Sequence, residues 1–199
     1  AMLEMVNALL DYQKIRKGID PPAEVAFAPA QVLEEVRYLS ETLILDTRLT
    51  FDFQIADSLP KYLIGDPSRL SQILMNLLGN AIKFTKEGRI YCTVRSTVNQ
   101  NTCEILCEVG DTGPGIPESE LKKIFLPYKK AHNQKRISGE GLGLGLSLVN
   151  QWAKQMGGTV SVKSRVGQGS TFGLRLPFAI GAKQQQAERK APPSDVSIL

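Results

Sequence analysis

The sequence predicts an α+β fold, a two-layer α/β sandwich in which one mixed, mostly antiparallel sheet is covered by helices on one face. Three observations predict it. Two long segments, Pro29 to Leu45 and Asp66 to Thr85, repeat apolar residues at the helical period. Two pairs of alternating segments are joined by short turns of Asn, Gln or Gly, a hairpin signal. No internal repeat points to a stacked array.

Each element has its own reason. Residues 1 to 17 read as an amphipathic helix with Leu3, Val6, Leu9, Leu10 and Tyr12 on or near one side, ended by Gly18 and Pro21-Pro22. Val25 to Phe27 is a short extended piece. Pro29 suits the first turn of the next helix, whose core face is Val32, Leu33, Val36, Leu39 and Leu43. Leu49 to Ile55 alternates as a strand. Asp66-Pro67 is an N-cap and first-turn pair, and the helix it opens carries Leu70, Ile73, Leu74, Leu77, Leu78, Ala81 and Ile82 on one stripe. Gly88 is read as its end. Arg89 to Val98 and Thr102 to Val109 are strands around Asn99-Gln100-Asn101. The turn Asp111 to Pro117 leads to a short helix, Glu118 to Ile124. Phe125 to Glu140 is polar, basic, aperiodic and too long for a passive connection, so it reads as a mobile loop. A helix from Leu146 to Met156 follows, then strands Thr159 to Ser164 and Thr171 to Leu176 around Gly167-Gln168-Gly169. From Gly181 the Gln-, Lys-, Ala- and Pro-rich composition reads as a linker.

Composition narrows the function class. At 199 residues and 42% apolar content the chain is an ordinary globular domain with some extra. No apolar run approaches the roughly 18 residues that span a membrane, and no signal-peptide pattern opens the chain. The net charge is +4, yet Lys and Arg are scattered, and the only dense cluster is Lys129 to Arg136. That favours a local anion site and no nucleic acid. Cys92, Cys103 and Cys107 are odd in number and lack metal-ligand spacing, which reads as buried thiols in a reducing compartment.

The chemistry concentrates in three places. On the second long helix, Asn76, Asn80 and Lys83 share an arc of roughly 60° opposite the apolar stripe. Amide oxygens suit a hard, hydrated cation such as Mg²⁺, and a nearby ammonium suits the phosphates such an ion accompanies; taken alone, the same three residues also fit an ordinary solvated face. Asp111-Thr-Gly-Pro-Gly-Ile116 follows an apolar strand; its carboxylate suits an exocyclic amine, and Gly113 and Gly115 permit positive φ and close backbone approach to a flat ligand. Gly139-Glu-Gly-Leu-Gly-Leu-Gly-Leu146 then opens a helix whose N–H groups form a phosphate cradle. It is neither a Walker A loop, since no Gly-Lys-Ser/Thr follows, nor a Rossmann turn, since no strand feeds it.

In this order the amide helix, acidic glycine turn, aromatic-basic loop and glycine-rich helix start resemble the N, G1, F and G2 boxes of the histidine-kinase catalytic and ATP-binding domain, in the gyrase, Hsp90, histidine kinase and MutL superfamily. The resemblance covers residues 25 to 178 and implies the Bergerat ATP-binding fold, with ATP and Mg²⁺ as cofactors. It implies that Asn80 binds the Mg²⁺ bridging the phosphates, that Asn76 assists one turn earlier, and that Lys83 contacts phosphate. It assigns Asp111 to the adenine amine, with Gly113, Gly115 and Ile116 shaping the pocket. Gly141, Leu142, Gly143, Leu144 and Gly145 then face the phosphates, Phe125 and Tyr128 anchor the F box, and Lys130 belongs to a flexible lid spanning Lys129 to Arg136.

Where ATPases of this superfamily carry a Glu four residues before the metal Asn, this chain has Asn76. An amide is no general base, so the resemblance points to phosphoryl transfer and away from hydrolysis. Two departures stand out. Leu142 replaces the hydroxyl residue usual in the G2 box, which leaves open a second reading: a catalytically weak regulatory kinase module that pairs with another kinase. Tyr128 stands where Phe is usual.

By the same resemblance, residues 9 to 18, LLDYQKIRKG, match the end of the hairpin helix that carries the phosphoacceptor His, so residues 1 to 19 are assigned to that helix, 20 to 180 to the catalytic domain and 181 to 199 to a linker toward a receiver domain of a hybrid kinase. The single His132 lies inside the lid and lacks the acceptor motif. The implied partners are an acceptor helical domain of the parent chain and a response regulator or receiver domain. The parent is expected to be a dimer, with this piece monomeric and unable to phosphorylate itself. The domain is expected in the cytoplasm, under a parent of either soluble or inner-membrane type.

Overall fold

The computed structural model describes residues 10, 13, 20–56, 59–128 and 143–181. The elements run β1 (Val25–Phe27), α1 (Pro29–Ile44), β2 (Arg48–Ile55), β3 (Leu63–Gly65), α2 (Pro67–Phe84), β4 (Glu87–Asn99), β5 (Thr102–Asp111), α3 (Glu118–Leu121), α4 (Gly145–Gln155), β6 (Thr159–Arg165) and β7 (Gly169–Ile180). One seven-stranded sheet takes the order β1-β3-β7-β5-β4-β2, with β6 also paired to β7. Among the described residues only β2 and β4 run parallel; the other pairings are antiparallel.

β7 organises the sheet. Along Ser170–Ala179 it pairs with β5, while β6 takes its first half and β3 its last two residues on the opposite edge. Alternation along these strands sends Ile90, Cys92, Val94, Cys103, Ile105, Cys107, Val109, Phe172, Leu174, Leu176 and Phe178 to one buried face. Helices α1, α2 and α4 cover that face. From α2 it receives Leu70, Ile73, Leu74, Leu77 and Leu78, all essentially inaccessible to water. Burying each such side chain is worth about 1.5–3 kcal/mol, so this stripe fixes which way the opposite, polar face of α2 points. The three cysteines are free and buried as expected, and burial pushes the Cys92 thiol up to about 12.

Three details differ from expectation. Gly88 does not end α2. The helix stops at Thr85, whose extended backbone leaves the helix while its N–H still reaches the Ala81 carbonyl at 3.1 Å. Gly88 lies inside β4 with φ +114, where a Cβ would collide with the Thr112 hydroxyl. β3 is a strand of three residues, too short to show alternation. Leu39 and Leu43, expected on the core face of α1, are exposed because the helix turns them away from the sheet. Phe125, in an irregular stretch as expected, packs edge-on against Phe172 with ring centroids 6.5 Å apart, directly after buried Ile124. The expected helix over residues 1 to 17 and the tail after Gly181 fall outside the described residues, apart from isolated positions.

A buried Arg ties the domain together at the far end of α2. Arg69 is 5% exposed and spends its guanidinium on Asp66, on Gln155 of α4, and on the carboxylate and carbonyl of Asp20. Asp66 caps α2 through the Arg69 N–H and also accepts from the Ala23 N–H, both at 2.9 Å.

Candidate functional site

The polar face of α2 meets the start of α4. Asn76 and Asn80 are half-buried one turn apart, and Lys83 is exposed beyond them. The Asn76 amide donates to the Gln72 carbonyl at 3.0 Å, which leaves its oxygen turned outward. That oxygen lies 2.8 Å from where a Cβ on Gly145 would sit, so the glycine at the first position of α4 is what lets the two helices approach. Gly143 takes φ +69, a conformation a side chain would resist, and Leu144 turns its side chain into the core. The Gly143 carbonyl accepts from the Tyr128 N–H at 3.1 Å. Tyr128 itself sits at φ +62, an outlier for a bulky residue of the sort held in place at functional sites. Tyr128 and Gly143, which flank residues 129–142 in sequence, are therefore bonded to each other. Lys130, His132, Gly141 and Leu142 lie outside the described residues.

Asp111 closes β5, directly opposite Ile90 on one side and Ser170 on the other. Its carboxylate accepts from the Gly113 N–H at 2.8 Å. Burial pushes this carboxyl up, and hydrogen bonds from Gly113 and Ser170 pull it the other way, toward the ionised acceptor form. Of the two turn glycines only Gly115 adopts positive φ, at +70. Gly113 does not; it is needed for proximity, since a Cβ there would lie 2.8 Å from both Asp111 Oδ1 and Thr85 Oγ1. A Cβ on Gly115 would strike the Arg165 carbonyl, so its close approach is to the β6–β7 hairpin. Ile116 is buried, and its N–H bonds Ser164 Oγ at 2.7 Å.

Sequence reasoning missed the residues that hold this turn. Ser164 accepts from Ile116, donates to the Gly169 carbonyl at 2.8 Å, and lies 3.0 Å from the Ser170 hydroxyl. Gly167 N–H bonds the Pro114 carbonyl at 2.9 Å. Gly169, at φ +99, allows the Asp111 carbonyl to pass where a side chain would stand. The only sequence signal for any of these was the glycine pair at 167 and 169.

The donor set also speaks to the cation. Among the described residues, no group of three or more His, Cys, Asp or Glu side chains could hold a metal. Neutral amide oxygens at Asn76 and Asn80 are the available donors, which fits Mg²⁺ brought in with its own phosphate ligands and waters. The arrangement thus presents a carboxylate acceptor in a rigid glycine turn and, one helix away, amides and an ammonium beside a glycine-rich helix start.

A family profile described as "Histidine kinase-, DNA gyrase B-, and HSP90-like ATPase" matches residues 65–180. Histidine kinase 5 of Arabidopsis thaliana is 33% identical over 98% of this chain and 24% of its own length. The signal transduction histidine-protein kinase BarA of Escherichia coli (strain K12) is 36% identical over 88% of this chain and 19% of its own. The chain thus spans about a quarter or less of these two relatives. The full-length ShkA structure, solved in complex with AMPPNP, superposes with a TM-score of 0.76 at 28% identity, over 90% of this chain and 36% of that one. The chain belongs to the histidine kinase-, DNA gyrase B- and HSP90-like ATPase family, as an ATP-binding catalytic domain of the histidine-kinase type.

Proposed function

We propose that this domain binds Mg-ATP between α2 and the start of α4 and transfers the γ-phosphoryl group to a histidine on a helical domain of its parent chain. The observation that carries the reading is that α2 meets Gly145 through Asn76 and reaches the Asp111 turn at its end, where Thr85 and Asp111 both approach Gly113. Asp111 accepts from the exocyclic amine of adenine, and Gly113 keeps that edge of the pocket open. Asn80 offers an amide oxygen to Mg²⁺, Asn76 supports it from one turn away, and Lys83 meets phosphate oxygens. When bound, Mg²⁺ neutralises charge on the phosphates as the terminal P–O bond breaks. The γ-phosphoryl group leaves ADP and bonds to an imidazole nitrogen. With an amide at position 76, no side chain there takes a proton from water, so ATP is held for transfer.

The domain is further proposed to act in the cytoplasm, within a dimeric hybrid parent whose receiver domain, or a separate response regulator, takes the phosphoryl group next. Among the described residues no helix is long and apolar enough to cross a membrane.

Titration calorimetry with Mg-ATP, followed by labelled-ATP transfer to a separately supplied histidine-bearing helical domain, tests the reading. Binding with acid-labile label on the acceptor is the expected result. No binding would sink it. Binding without transfer would favour a regulatory module, which Leu142 in the glycine box also fits; steady phosphate release would favour an ATPase.

A further inference from the structure

Two buried side-chain polar atoms among the described residues have no hydrogen-bond partner, and one of them, Thr85 Oγ1, borders the Asp111 turn. Thr85 is 4% exposed and terminates α2, the helix that carries Asn76, Asn80 and Lys83. Its backbone N–H is satisfied by Ala81, so the cap does not need the hydroxyl. Thr85 Oγ1 and Asp111 Oδ1 each lie 2.8 Å from the point a Cβ on Gly113 would occupy, with the Phe84 carbonyl 3.3 Å from it. The hydroxyl and the carboxylate are therefore at most twice that distance apart, facing each other across a residue with no side chain. A buried hydroxyl without a partner is costly, and native folds rarely keep one unless something else satisfies it.

We propose that Thr85 is a positioning residue of the nucleotide site: when a base enters beside Asp111, the Thr85 hydroxyl donates to Asp111 Oδ1 and fixes that carboxylate as acceptor for the base's exocyclic amine. This rests on the nucleotide-binding reading above. Gly113 is what makes it workable, because no Cβ separates donor from acceptor. Gly113 and Ser170 already donate to the Asp111 carboxylate against the effect of burial, and a third donor acts in the same direction. The consequence is specific. Thr85 serves 6-aminopurines and adds nothing for a purine that lacks the amine.

Thr85→Val removes the hydroxyl and keeps the shape; Thr85→Ser keeps the hydroxyl. Calorimetry on each variant, with Mg-ATP and with the Mg complex of purine riboside triphosphate, which lacks the 6-amino group, separates the effects. Thr85→Val should weaken Mg-ATP about fivefold to tenfold and leave the amine-free analogue within about twofold, while Thr85→Ser stays near wild type. In the absence of nucleotide, Thr85→Val should raise the thermal midpoint, since an unpaired buried hydroxyl is gone. Unchanged Mg-ATP affinity, or equal loss for both ligands, overturns the proposal, and so does a lowered midpoint, which would mean the hydroxyl is already paired in the empty site. Wild-type protein that binds neither ligand would instead overturn the nucleotide reading itself.

Discussion

The two ends of the candidate site are built differently. At the base end, the Asp111 turn is fastened to the β6–β7 hairpin by Ser164, by the Gly167–Pro114 backbone bond, and by close packing at Gly115 and Gly169. At the phosphate end, among the described residues, Asn76 and Asn80 project from a single helix that meets the start of α4 at Gly145, and the Tyr128 N–H bonds the Gly143 carbonyl. A rigid pocket suits recognition of a flat, invariant base, since little must be ordered on binding. Polar side chains presented from one helix face suit the part of the ligand that changes during the reaction. Under the proposed function, selectivity would rest on the sheet and turnover on the helices.

Substitutions at each end should separate these roles. Gly169→Val has the largest expected effect: it puts a branched side chain at positive φ against the Asp111 carbonyl, and should cost about 3 kcal/mol or more in urea unfolding. If the hairpin merely drapes over the turn, the loss will be small. Asn80→Ala comes next. It should leave stability near wild type and weaken Mg-ATP about tenfold to a hundredfold, with little change for ADP measured in EDTA. A metal-independent loss would show that Asn80 acts on the fold and not on the cation. Ser164→Ala should be milder still, about 1–2 kcal/mol of stability, with a parallel drop in affinity that does not depend on Mg²⁺. Should its effect vanish when Mg²⁺ is removed, the division between the two ends is wrong.

What the sequence displayed follows the range of the interaction. The α2 stripe and its polar arc were readable because periodicity is local, and so was the Asp66 cap. Asp111 and the glycines around it were readable as a turn. Ser164 was not, because its partner Ile116 is 48 residues away and nothing about an isolated serine in a strand marks it. The helical pattern is readable to Thr85, but Gly88 is misleading: glycine is the common helix terminator, while the actual stop comes from the extended backbone of Thr85. Phe125 lies in an irregular stretch as its polar neighbours suggest, but its edge-on contact with Phe172, 47 residues downstream, is long-range and so was not readable.

The position of β7 has a consequence for biogenesis. Among the described residues it is the last strand and the only one bonded to three others, β3, β5 and β6. During synthesis the earlier strands therefore leave the ribosome with unpaired edges, and the two halves of the sheet stay unjoined until residues 169–180 emerge. Asp111 likewise lacks Ser170 until that moment. The candidate nucleotide site is completed only when β7 emerges, so a chain truncated ahead of Gly169 is expected to expose sticky edges and to lose nucleotide binding.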